Sequence, residues 1–143
     1  MATLEKAIQI AASAHAGQVD KAGQPYILHP LKVMLRVCTE YERMAAVLHD
    51  VVEDTTITLA CLVKMGFPPP VIDAVAALTK FPGESRIQAA TRAAGNSIAL
   101  PVKLADNAEN MDLSRIPQPT DKDYARLEEY KLVRALLLEA NAA

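Results

Sequence analysis

The chain has 143 residues, of which 51% are apolar and only 4% aromatic, and its 15 basic and 17 acidic residues leave a formal net charge of −2. That length suits one domain, 1–143, with a core of ordinary size. The near-neutral balance excludes the basic stripe of a nucleic-acid binder and the polybasic patch of a membrane-surface protein, so an anionic ligand must be met by a local cation cluster or a metal.

The apolar mass is mainly Ala, Leu, Val and Ile, and alanine favours helices over strands, which predicts a compact all-α helical bundle. No segment reaches the roughly 20 apolar residues of a membrane span. The stretch 1–16 carries Glu5 and Lys6 and lacks the apolar run of a signal peptide, so a cytoplasmic protein is expected. Cys38 and Cys61 form no CxxC pair and read as reduced core thiols.

In chain order, Thr3 is suited to cap a first helix to about Ala16, with Leu4, Ala7, Ile8 and Ala11 at helical spacing and Gly17 as its stop. A loop over 18–29 contains Gly23 and Pro25. Pro30 suits the first turn of a second helix to about Cys38, and a third runs from Tyr41 to about Val52. Thr58 caps a short helix that Gly66 stops, and Pro68, Pro69 and Pro70 lead into another from about Val71 to Leu78. A further helix is expected over 84–95, broken at Gly95-Asn96. The pattern over 97–111 is helical, with Pro101 either starting the main helix or kinking it. The last helix spans about Thr120 to Ala140, with Asp121 and Asp123 at the positive end of its dipole.

Chemistry concentrates in His49-Asp50-Val51-Val52-Glu53-Asp54-Thr55. In a continuous helix of about 100° per residue, His49 and Glu53 share one stripe, and Asp50 and Asp54 the adjacent one. His29 precedes Pro30 at a loop-to-helix junction, where an imidazole can be held facing a cleft. Lys103, Asp106 and Asn110 share a face of a later helix among Val102, Leu104 and Ala105. An aspartate in such an apolar segment needs a partner, either a metal ion or a nearby lysine.

These segments, together with Ala14-His15-Ala16-Gly17-Gln18, Gly23-Gln24-Pro25-Tyr26-Ile27-Leu28-His29-Pro30, Val102-Lys103-Leu104-Ala105-Asp106 and Asn110-Met111, resemble in order and character the HD-superfamily metal phosphohydrolases. The resemblance is strongest to RelA/SpoT-type hydrolase domains and small alarmone hydrolases. It implies an HD-type helical bundle in which His29, His49, Asp50 and Asp106 hold one divalent ion, most commonly manganese(II), with open positions for water. It further implies that Glu53 and Asp54 handle the attacking water and that Asn110 meets the nucleotide sugar. Arg126 and Tyr130 resemble the phosphate-contacting Arg-x-x-x-Tyr pair, with an exposed surface pair as the alternative. Lys103 and Lys80 are further phosphate candidates, and His15 reads as structural.

The implied reaction removes the 3′-pyrophosphate of ppGpp or pppGpp, leaving GDP or GTP, by a metal-activated water. The partner is then a small nucleotide, with no nucleic acid and no membrane, and the Ala-rich helical surface is compatible with homo-oligomers. The sequence departs from the family at Val19-Asp20-Lys21, which puts an acid where relatives offer a cation, with Lys21 as the substitute. Residues 84–101 also depart, carrying Arg86, Ala89, Leu100 and Pro101. The alternatives are another nucleotide (an adenine alarmone or a phosphorylated dinucleotide) or a non-catalytic nucleotide-binding module. Three histidines are too few for a His-rich dinuclear centre.

Overall fold

The computed structural model describes residues 1–143 as nine helices joined by short loops, with one isolated antiparallel bridge between Val19 and Pro25 in place of any sheet. They are α1 (Leu4–Ala14), α2 (Leu28–Leu35), α3 (Glu40–Leu48), α4 (Val51–Asp54), α5 (Leu59–Lys64), α6 (Pro69–Leu78), α7 (Arg86–Ala94), α8 (Ala99–Met111) and α9 (Asp121–Ala142). No helix is long and apolar enough to cross a membrane.

Helix starts follow local chemistry. The side chains of Thr3, Thr58 and Thr120 accept amide hydrogens of their own first turns, satisfying donors that a helix start otherwise leaves bare. Thr39 with Glu42, Ser85 with Gln88 and Thr120 with Asp123 form reciprocal capping boxes. Pro69 occupies the first position of α6, where its missing N–H costs nothing. Pro101 falls in the first turn of α8 and so begins that helix. Gly17 and Gly66 follow α1 and α5 with φ of 85° and 89°, a conformation that a Cβ would penalise.

Helix α3 lies at the centre. Met44, Ala45, Ala46, Val47 and Leu48 are all buried in succession, and the helix packs against α1, α2, α6 and α8. A helix apolar on every side must be surrounded, and alanines on several partners let the axes approach closely. Ala90, Val133 and Leu137 form a smaller separate apolar cluster, where α9 packs on α7 and α8.

Three expectations are corrected. The third helix does not run on to Val52: it ends at Leu48, and α4 starts afresh at Val51. The Ala46 carbonyl, which a continuing helix would offer to the amide at 50, instead accepts the amide of His49 at 3.4 Å and its ring Nδ1–H at 2.5 Å. The cysteines are free but not core thiols, since Cys38 is exposed and Cys61 only partly buried. Helix α2 also begins earlier than expected, placing His29 inside its first turn.

Candidate active site

The turn between α3 and α4 directs His49 inward, α2 supplies His29 and α8 supplies Asp106. All three are buried, and their ligand-type atoms lie within 4.8 Å of one another. His29 Nε2 is 2.9 Å from Asp106 Oδ1, and His49 Nε2 is 3.3 Å from the same oxygen and 3.0 Å from Asp50 Oδ2. The structure thus brings together the four expected ligands, with Asp50 touching His49 while also clustering with Glu53 and Asp54.

The tautomer of His49 matters here. Its Nδ1–H donates to Ala46, so in the neutral ring the Nε2 lone pair faces two carboxylates. Nε2 is buried, and no group meets it at hydrogen-bonding angles. Facing lone pairs repel unless a cation lies between them, either a proton on Nε2 or a metal ion. Burial alone would lower the His49 pKa, but Asp50 and Asp106 drive it well above its ordinary value. A buried nitrogen seeking a cation, beside a second imidazole and two carboxylates, is a donor set that fits a divalent metal.

Asp106 is the hub. Its Oδ2 receives Lys103 Nζ at 3.2 Å, and its Oδ1 receives Asn110 Nδ2 at 3.2 Å. Burial would raise this carboxyl, but Lys103 and the two imidazoles overcome that and hold it well below the usual range. Of the two partners the sequence left open, the lysine meets this carboxylate directly, and the same carboxylate belongs to the cluster that could hold a metal. Asn110, expected at a sugar, is bonded to Asp106.

The acidic pair divides. Glu53 Oε1 accepts the backbone amide of Lys80 at 2.7 Å, fastening α4 to the loop after α6. The Asp54 carbonyl accepts Gln18 Nε2–H at 3.2 Å, and its carboxylate has no hydrogen-bonded protein partner. Loss of hydration, reinforced by the Asp50 charge, pushes the Asp54 carboxyl up. Glu53 is also raised, chiefly by lost hydration, against the lowering effect of the Lys80 amide. The expected stripe of His49 with Glu53 is broken, because the interruption at residues 49 and 50 turns His49 toward His29 and leaves Glu53 with Asp50 and Asp54.

Above the cluster opens a cavity of about 500 Å³, lined by six cationic side chains: Lys21, Lys80, Arg86, Lys103, Arg115 and Arg126. Four of them have carboxylate partners: Lys21 with Asp123, Arg86 with Glu129, Lys103 with Asp106 and Arg115 with Asp20. Arg126 and Tyr130 line the cavity wall from α9, and the Arg86 guanidinium lies 5.1 Å from the Tyr130 ring centre. A local cation cluster, one of the two ways an anionic ligand could be met in a chain of weak net charge, is present.

Several residues given no role in the sequence contribute here. Tyr26 lines the cavity and donates its hydroxyl to Asp50 Oδ2; burial and that carboxylate push its phenol far above the ordinary value. The Asp20 carboxylate is spent on its own loop: Oδ1 accepts the amides of Ala22 and Gln24 at 2.8 and 3.0 Å, and Oδ2 receives Arg115 at 3.4 Å. The acid at that position therefore draws a cation into the cavity from the connection between α8 and α9. Asn107, buried beside Asp106, donates to the Tyr130 carbonyl at 3.0 Å. Arg115 and Asn107 act across loops, a relationship that helical spacing does not carry.

Comparison with known proteins agrees with this geometry. Residues 7–101 match the HD domain model. The chain belongs to the HD-domain family. It is 30% identical over 95% of its length to a Mycobacterium leprae protein named "Probable GTP pyrophosphokinase", and 46% identical over 38% of its length to the bifunctional (p)ppGpp synthase/hydrolase SpoT of Escherichia coli. It spans only 19% and 8% of those two proteins. Among solved structures, one described as a metazoan ortholog of SpoT that hydrolyzes ppGpp superposes with a TM-score of 0.78 at 27% identity, covering 98% of this chain and 85% of that one.

Proposed function

We propose that this chain hydrolyses the 3′-pyrophosphate of guanosine alarmones, converting ppGpp or pppGpp to GDP or GTP and pyrophosphate. The observation that carries the reading is the buried His29–His49–Asp106 cluster at the floor of a cavity walled by cations. Structural similarity to a ppGpp-hydrolysing SpoT ortholog supports it. His29, His49, Asp50 and Asp106 would hold one divalent ion, with manganese(II) as the expected metal. When bound, such an ion acidifies a water and neutralises phosphoryl charge.

The protein's own groups supply the rest. Asp54, with a raised carboxyl and no protein partner, accepts the proton of the attacking water. The water oxygen bonds to the ribose-proximal phosphorus, the bond from that phosphorus to O3′ breaks to release pyrophosphate, and O3′ takes up a proton from solvent to become the 3′-hydroxyl. Lys103, partly exposed and set against Asp106, places its ammonium where the phosphoryl oxygens gain charge. Lys21, Arg126 and Tyr130 bind the remainder of the nucleotide from the cavity wall, where Lys80 and Arg126 have no carboxylate partner to displace. Asn110 contributes through its bond to Asp106. A soluble nucleotide as substrate fits action in the cytoplasm.

The test is product analysis by anion-exchange chromatography after incubation of manganese-loaded protein with ppGpp, beside a His49→Ala control. GDP and pyrophosphate formed only by the wild type support the reading. Turnover of an adenine alarmone but not of ppGpp would move the substrate while keeping the chemistry. Tight nucleotide binding without turnover would point to a binding module.

A further inference from the structure

Two side chains of the loop between α1 and α2 reach one short segment, residues 49–54. Tyr26 donates its hydroxyl to Asp50 Oδ2, the oxygen that lies 3.0 Å from His49 Nε2. Gln18, from the same loop, donates Nε2–H to the Asp54 carbonyl and accepts His15 Nδ1–H at 2.8 Å. His15 is buried, although no pattern in the sequence gave it a ligand role.

We infer that Tyr26 is a positioning residue for the metal centre, its hydroxyl holding the Asp50 carboxylate with Oδ2 turned toward His49. This rests on the reading of Asp50 as a ligand. Asp50 faces two competing surroundings: the imidazole cluster on one side, and the like-charged Glu53 and Asp54 on the other. A carboxylate on a short side chain turns easily between them, and a fixed donor decides the outcome.

Tyr26 is such a donor because its ring cannot wander. It is tilted against His15 at 5.0 Å between ring centres and against His29 at 5.8 Å. Its backbone is tied at both ends, with its amide donating to the Gln18 carbonyl at 2.9 Å and its carbonyl accepting the His29 amide at 3.0 Å. The phenol therefore stands in register with His29, another member of the cluster. A hydrogen bond behind a ligating carboxylate fixes its direction, and loss of such a partner commonly costs roughly 10–100-fold in metal affinity.

The experiment measures manganese binding by isothermal titration calorimetry in the wild type, Tyr26→Phe, Asp50→Asn and the double variant, with the folded state of each checked by circular dichroism. Phenylalanine keeps the ring and its packing and removes only the hydroxyl. The expected result is a Kd raised roughly 10–100-fold in Y26F, with little further loss when Y26F is added to D50N. An unchanged Kd in Y26F overturns the inference while leaving the metal site standing, and so does a Y26F loss that is equally large in the D50N background. A Y26F chain that fails to fold overturns it too, since the hydroxyl would then serve the fold. Wild-type protein that binds no manganese, or D50N that binds it as tightly as wild type, removes the reading of Asp50 and the inference with it.

Discussion

Glu53 accepts the amide hydrogen of Lys80 at 2.7 Å, whereas the carboxylate of Asp54, the next residue, meets no donor from the protein. Two adjacent acids with the same sequence signature thus differ in bonding, one fastening a loop and the other with a free carboxylate, which the proposed mechanism uses for proton transfer.

Asp54→Asn should therefore lower kcat by about 10²–10⁴-fold, the range for loss of a general base, with metal affinity retained. Glu53→Gln keeps an oxygen that can accept the Lys80 amide, so its kcat should stay within about tenfold of wild type, on the premise that Glu53 is not the base. Steady-state kinetics on the two variants checks the division, and equal losses would reject it.

The imidazole cluster predicts a metal-dependent stability. A divalent ion at about one hundred times its Kd should stabilise the folded chain by about 2.7 kcal/mol. Thermal melts with and without manganese should separate by several degrees in the wild type and coincide in His49→Ala and Asp106→Ala.

Arg92 makes a clasp outside the cavity lining. Its Nη1 donates to the carbonyls of Ala76 and Ala77 at 3.0 and 3.2 Å, its Nη2 donates to Thr79 at 2.5 Å, and Glu84 receives both Nε and Nη2. The guanidinium also lies 4.1 Å from the Phe81 ring centre. The hydrogen bond from Arg92, aided by the Phe81 amide, brings the Glu84 carboxyl down to about 2. A carboxyl depressed on folding stabilises the fold above its unfolded pKa of about 4.3, and that stability is lost as pH falls toward the folded value. Urea melts should find Glu84→Gln less stable than wild type at pH 7. The gap should narrow once pH drops below about 4.3; a gap independent of pH would reject the ion pair as its source.

Asp20 predicts a local effect. Asp20→Ala removes the acceptor shared by the amides of Ala22 and Gln24, so both should exchange with solvent faster by hydrogen-exchange NMR. Arg115→Ala leaves that acceptor in place and should leave both amides protected.

What was legible in the sequence was local. Thr3, Thr58 and Thr120 cap helices because each acts within one turn, and Gly17 and Gly66 end helices through their own backbone. The motif residues His29, His49 and Asp106 were legible because their chemistry is unusual in apolar surroundings. The break after Leu48 was not, since no glycine or proline marks it and the bond from the His49 ring to the Ala46 carbonyl leaves no trace in the periodicity. Nor was the Arg92 clasp, whose partners lie as far back as Ala76, nor the exposure of Cys38, which depends on where α2 ends.

The small cluster of Ala90, Val133 and Leu137 gives α9 a foundation apart from the main core. The wall carrying Arg126 and Tyr130 is thereby underwritten by different apolar residues from those that seat His49. The two are stitched by Asn107, the neighbour of Asp106, through its bond to the Tyr130 carbonyl. For a lineage changing its nucleotide preference, such a seam separates what can drift from what cannot. Under the proposed function, exchanges along the cavity-facing side of α9 would retune recognition, while Asn107 marks where that freedom stops.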